Sequence, residues 1–108
     1  MKYVLLSADN CPSVYSVPDI VADNLGTYCD EFCCQWLWES PHAAEYRVVE
    51  PEDPAGWPAV CYCEKDFIKY LNEWIFPEQP STLIETLDGV ETNTDVPEKY
   101  KGCEWFNF

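Results

Sequence analysis

The chain has 108 residues, 20 acidic against six basic, a formal charge of −14, and 16% aromatic content within a 47% hydrophobic whole. Strongly charged chains poor in aromatics stay disordered because they cannot bury enough surface, and this composition excludes that class. The same charge argues against direct contact with nucleic acid, for which no basic patch is present. The length fits one domain, 1–108, with a single core.

Tyr3-Val4-Leu5-Leu6-Ser7 predicts a strand, apolar on both faces and therefore central. Asp9 to Ser13 is a turn cluster, and Val14-Tyr15-Ser16-Val17 predicts a second strand, so the chain opens on a β-hairpin. Pro18 and Asp19 predict the start of a helix, with proline at the first helical position and an early carboxylate near the positive end of the dipole. Val21, Leu25, Tyr28, Phe32 and Trp36 recur at helical spacing, widened by Cys29, Cys33 and Leu37, which carries the helix to about Glu39. Gly26 is the expected weak point, and Ser40-Pro41 the expected end.

Residues 50–58 hold three prolines, a glycine and the carboxylates Glu50, Glu52 and Asp53. That composition predicts an acidic loop between strands at Tyr46–Val49 and Ala59–Cys63. A second helix is predicted from Glu64 to Phe76, its apolar face formed by Phe67, Ile68, Leu71, Trp74 and Ile75, with Lys69 and Glu73 spaced as an ion pair. Thr82–Leu87 reads as a strand, Asp88-Gly89 as a turn, and Val96 to Gly102 as room for one helical turn. The ending Trp105-Phe106-Asn107-Phe108 is apolar enough to dock on the core. The expected fold class is therefore α+β: a small, mainly antiparallel sheet of three to five strands, with two amphipathic helices (about 18–39 and 64–76) on one face. No internal repeat, low-complexity tract or linker interrupts it.

The residues around Met1 to Asn10 do not read as a signal peptide, because the apolar run is too short and Asp9 follows at once. No apolar run approaches the roughly 20 residues of a membrane span. The expectation is a cytoplasmic protein without membrane contact. In that setting the seven cysteines read as reduced thiols, most of them small core hydrophobes.

Candidate chemistry is sparse. Cys29, Cys33, Cys34, Cys61 and Cys63 could form a thiolate metal module, but Cys61 and Cys63 sit on one strand face and the helical pair falls on the apolar stripe, so no metal and no cofactor are expected. A Cys–His or Ser–His site would have to use His42, the single histidine, and no nucleophile signature surrounds any cysteine or serine. No catalytic residue is assigned. What stands out is charge. From Tyr3 to Tyr46 there is no Lys or Arg, while Asp9, Asp19, Asp23, Asp30, Glu31, Glu39 and Glu45 are all present. Asp19, Asp23 and Asp30 share one helical stripe with Glu31 beside it. Natural surfaces usually mix signs, and a single-sign field steers oppositely charged partners. Trp38 and Trp57, off the apolar stripe and in the acidic loop, are candidate contact residues.

The run Val14 to Leu25, Tyr28-Cys29, Glu31-Phe32, Trp36 to Pro41, Asp66-Phe67-Ile68, Tyr70-Leu71 and the ending Trp105 to Phe108 resemble a group of uncharacterised short acidic proteins from anaerobic gut bacteria. In size and charge the chain is also similar to anti-CRISPR and other DNA-mimicking inhibitors of phages and mobile elements. That similarity implies a non-catalytic interaction protein occupying a basic, nucleic-acid-binding surface of another protein. Its contact set would be Asp19, Asp23, Asp30, Glu31, Glu50, Glu52, Asp53, Trp57 and Trp38. The alternatives are a small Cys–His enzyme, a thiolate metal module, or a housekeeping protein whose charge only keeps it in solution.

Overall fold

The computed structural model describes residues 1–49 and 58–108. A four-stranded mixed sheet has the order β5-β2-β1-β6, where β1 is Lys2–Ser7, β2 Ser13–Val17, β5 Thr82–Thr86 and β6 Trp105–Asn107. β1 pairs antiparallel with β2, which pairs antiparallel with β5, while β6 runs parallel to β1. The strands β3 (Arg47–Val49) and β4 (Pro58–Val60) form a separate antiparallel pair. The expected strand through Cys63 is thus shorter, and Cys61–Cys63 lead into the second helix instead.

The apolar run of β1 is explained by burial on both sides. Val4 and Leu6 join Tyr15 and Val17 beneath the helices, while Leu5 and Val14 face a second cluster of Leu87, Val90, Val96 and Tyr100. The helices cover one face, as expected. The other face is covered by the segment from Leu87 to Cys103, which contains two short 3-10 turns.

The first helix is composite. α1 (Asp19–Asp23) ends at Asn24, whose side-chain Nδ2 donates to the Ile20 carbonyl at 2.9 Å. α2 (Leu25–Asp30) continues into a π-helical turn, Glu31–Trp36, and then α3 (Leu37–Glu39). The break falls at Asn24 and not at Gly26, which is helical. Pro18 precedes the helix as its cap. A second π-helical turn, Leu71–Ile75, follows α4 (Glu64–Tyr70), closed by the Phe76 N–H donating to the Leu71 carbonyl at 2.7 Å.

These two π turns adjoin the packing centre. Phe32 is fully buried, with its ring centroid 5.2–6.0 Å from those of Trp36, Tyr62, Phe67, Tyr70 and Phe108. Each such aromatic contact adds about 0.5–1.5 kcal/mol beyond area burial. Trp74, expected in the core, is instead 46% exposed and stacks on His42 at 4.1 Å. The wider π turn is associated with that outward placement. Lys69 pairs with Glu45 at 3.8 Å and not with Glu73.

The C-terminus locks the hairpin. Phe108 N–H donates to the Ser7 carbonyl at 2.8 Å, and Leu5 N–H to the Glu104 carbonyl at 2.8 Å. Asn107 Oδ1 accepts from Ser7 Oγ at 2.7 Å and from Asp9 N–H at 2.9 Å, while Trp105 Nε1 donates to Ser7 Oγ at 3.0 Å. Asp9 sits at φ 60°, a left-handed conformation that Asp tolerates. The expected turn at Asp88-Gly89 places Gly89 at φ 81°. No helix among the described residues is long and apolar enough to cross a membrane.

Truncating Phe32 removes the shared contact of five rings. Phe32→Ala should lower unfolding free energy by about 3–5 kcal/mol in a urea titration, whereas Trp74→Ala should cost under about 1 kcal/mol, as for a surface site. Equal losses would contradict the placement of Trp74. On the second face, Tyr100 Oη donates to Glu85 at 2.5 Å and Lys99 Nζ approaches it at 3.3 Å. These two donors hold the Glu85 carboxyl below its ordinary value. With the folded value below the unfolded one, the stabilisation is complete above the ordinary carboxylate range and vanishes as pH falls through the lowered value. Tyr100→Phe should move the Glu85 midpoint upward in a carboxyl-detected NMR titration; an unmoved midpoint would show that this hydrogen bond is absent in solution.

Candidate functional site

The acidic residues of the first helix fall into two groups. Asp19 receives the N-terminal ammonium at 2.8 Å and Asp23 receives Lys2 Nζ at 2.7 Å. The N-terminal half of the expected stripe is therefore locally neutralised by cations at the start of β1. The hydrogen bond to Asp23 holds the Lys2 ammonium above its usual value. Asp19 is held below the carboxylate range, chiefly by its hydrogen bond from the terminal amine.

Asp30, Glu31 and Glu39 behave differently. All three are exposed, and none takes part in an ion pair among the described residues. The first cation after this stretch, Arg47, is turned elsewhere. Its Nε donates to the Leu37 carbonyl at 2.7 Å and its Nη2 to the Ser40 carbonyl, which also accepts the Ala43 N–H, so the guanidinium is spent on carbonyls at the helix end. Lys69, Lys99 and Lys101 are held by Glu45, Glu85 and Glu98.

Glu31 and Glu39 line one shallow groove, about 340 Å³, together with Gln35, Trp36, Ser40 and Tyr70. The 31, 35, 39 spacing puts these residues on one helical face, and Trp36 and Tyr70 form its aromatic floor with ring centroids 5.0 Å apart. Burial pushes the Tyr70 hydroxyl up, and the Glu31 carboxylate adds to the shift. Trp38, one of the expected contact residues, is 42% exposed on the same helix. A larger concavity, about 720 Å³, lies at the N-terminus against Asp23 and Glu104, but it also carries Met1 and Lys2 and so holds both signs of charge. Glu50, Glu52, Asp53 and Trp57 lie outside the described residues.

Sequence reasoning missed Glu39, Trp36 and Tyr70 as site residues. Glu39 was legible in its spacing from Glu31, whereas Trp36 falls on the apolar stripe and reads as core, and it does stack on Phe32 at 5.9 Å. Tyr70 comes from the other helix, so nothing local marks it.

The cysteines are mostly not core. All seven are free, and only Cys29 is buried, its thiol pushed far up by burial. Cys33 is half-buried and pushed up to about 11 by burial, with Cys34 and Asp30 adding to it. Cys34 and Cys61 are exposed. Cys63 caps α4: its sulfur accepts the Asp66 N–H, and its own N–H donates to Asp66 Oδ2 at 2.9 Å. The His42 ring lies on Trp74, and the Ser40 hydroxyl oxygen accepts the His42 backbone N–H at 3.2 Å.

Comparison with protein-family models, with curated proteins and with solved structures finds no match for this chain.

Native-state alkylation should modify Cys34 and Cys61 first and Cys29 last, with Cys29 reacting only on unfolding, because accessible thiolate governs the rate. Peptide mass spectrometry over a time course reads this order. Modification of Cys29 at the pace of Cys34 would mean that the core above α2 opens freely.

Proposed function

We propose that this chain is a non-catalytic, acidic interaction protein that captures a basic surface of a partner protein through the C-terminal part of its first helix. The observation that carries this reading is the set of three exposed carboxylates, Asp30, Glu31 and Glu39, without ion pairs among the described residues, on a chain whose cations are largely engaged elsewhere. Charge complementarity of this kind sets association rate and partner choice more than raw affinity.

The groove between Glu31 and Glu39 suits one arginine or lysine side chain of such a partner. Its cationic head would lie between two carboxylates, and its stem would run along Trp36 and Tyr70, with cation–π attraction of about 0.5–1 kcal/mol at an exposed site. Asp19 and Asp23, already paired, contribute less than the sequence implies. A partner surface evolved to hold phosphate would accept this carboxylate array in its place, which is the mode of a phage or mobile-element inhibitor.

An arginine-rich peptide carrying a fluorophore serves as the probe, with binding followed by anisotropy at two ionic strengths. Glu31→Gln with Glu39→Gln should weaken capture roughly tenfold at low salt, about 1.4 kcal/mol. The charge-matched pair Glu78→Gln with Glu91→Gln should weaken it by about twofold or less, since those exposed groups act only through the screened overall field. Equal weakening by the two pairs would show that capture follows net charge and that the groove has no part in it.

A further inference from the structure

One cluster on the same helix shares only Asp30 with the acidic-capture reading and adds two thiols that reading does not use. Cys33 Sγ and Cys34 Sγ lie 3.7 Å apart, and a carboxylate oxygen of Asp30 completes a triad whose donor atoms all fall within 4.8 Å of one another. Consecutive residues on an ordinary α-helix do not face each other. Here both sit in the π turn Glu31–Trp36, whose wider coil reduces the angle between successive side chains, while Asp30 is three and four positions earlier, one turn below.

We propose that Cys33, Cys34 and Asp30 form an open, three-ligand site for a thiophilic divalent metal ion of the zinc type. A tetrahedral ion with metal–sulfur bonds of about 2.3 Å holds its two sulfurs about 3.8 Å apart, so the observed sulfur separation already matches that edge. Two thiolates and one carboxylate are a borderline-soft donor set, which selects zinc or cadmium over calcium or magnesium. Cys34 and Asp30 are exposed and Cys33 half-buried, giving an ion direct entry and leaving a fourth position for water or for a ligand from outside the chain. The ligand set differs from the one that sequence spacing offers. Cys29 is sealed in the core, and Cys63 is committed to capping α4.

The test uses the full, reduced chain titrated with cadmium, whose bonds to thiolate give an ultraviolet charge-transfer band read as a difference spectrum against the metal-free protein, followed by competition with zinc. The site predicts one equivalent of cadmium with a sulfur-to-metal band that zinc displaces. Cys34→Ser should abolish the band, and because Cys34 is exposed this variant should keep its far-ultraviolet circular dichroism. Asp30→Asn should weaken binding by about tenfold or more, and Cys61→Ser should change neither band nor affinity. A band unchanged in Cys34→Ser, cadmium bound without any sulfur band, or no cadmium retained would each overturn the proposal. The readout is independent of peptide capture, so its failure leaves the acidic-groove reading standing and success does not establish it.

Discussion

The burial of Phe32 among five rings is the contact on which the rest of the molecule depends. It ties the first helix to α4 through Phe67 and Tyr70, and to Phe108, the residue that follows β6. With Phe32 fixed inward, the helical repeat fixes what points away. Glu31 turns to the groove, Asp30 and Cys34 turn to solvent, and Cys33 lies at the edge of the core against Tyr62. Within the π turn beginning at Glu31, Phe32 and Trp36 stack on each other and both lie tilted against Tyr70. Such turns are often found at functional sites.

A chain of charge −14 folds against its own repulsion. The balance is met by apolar burial on both faces of β1 and by closing the sheet with a parallel strand from the far end of the chain. The cations are not spread to dilute the acidic field. Most are assigned to single carboxylates at the molecule's margins, and Arg47 is given to backbone carbonyls. Among the described residues this leaves Asp30, Glu31 and Glu39 of the first helix without ion pairs, Glu31 and Glu39 next to aromatic surface. Glu39, in the last turn, also faces the unfavourable end of the helix dipole.

How much of this could be seen in the residues alone varied by element. β1 was legible because four consecutive apolar residues have one simple explanation, a strand buried on both faces. The first helix was legible from the Val21 to Trp36 stripe, and the apolar tail from Trp105 to Phe108 marked a docked terminus. The parallel direction of β6 was not, because pairing direction depends on where the preceding segment runs. Covering the second face falls to Leu87, Val90, Val96 and Tyr100, which are too widely spaced to show any period. Gly26 looked like the break by propensity, yet Asn24 supplies a side-chain amide that satisfies the Ile20 carbonyl where the helix interrupts. The π turns escaped notice since one extra residue per turn barely disturbs a 3.6 pattern, and that is also why Trp74 read as core. For the site, Glu31 was visible in the charge run, whereas Tyr70 arrives by tertiary packing and the Cys33–Cys34 approach by the π turn.

The most direct test of the account is a set of nuclear Overhauser measurements on the Phe32 ring in the labelled protein. Cross-peaks from Phe32 to Phe67, Tyr70 and Phe108 together are predicted, because all three centroids lie within 6.0 Å of it. If Cys33 or Glu31 protons took the place of Phe32 in contacts with Phe67 and Phe108, the helix would be rotated, and the outward array of carboxylates and thiols described above would not exist.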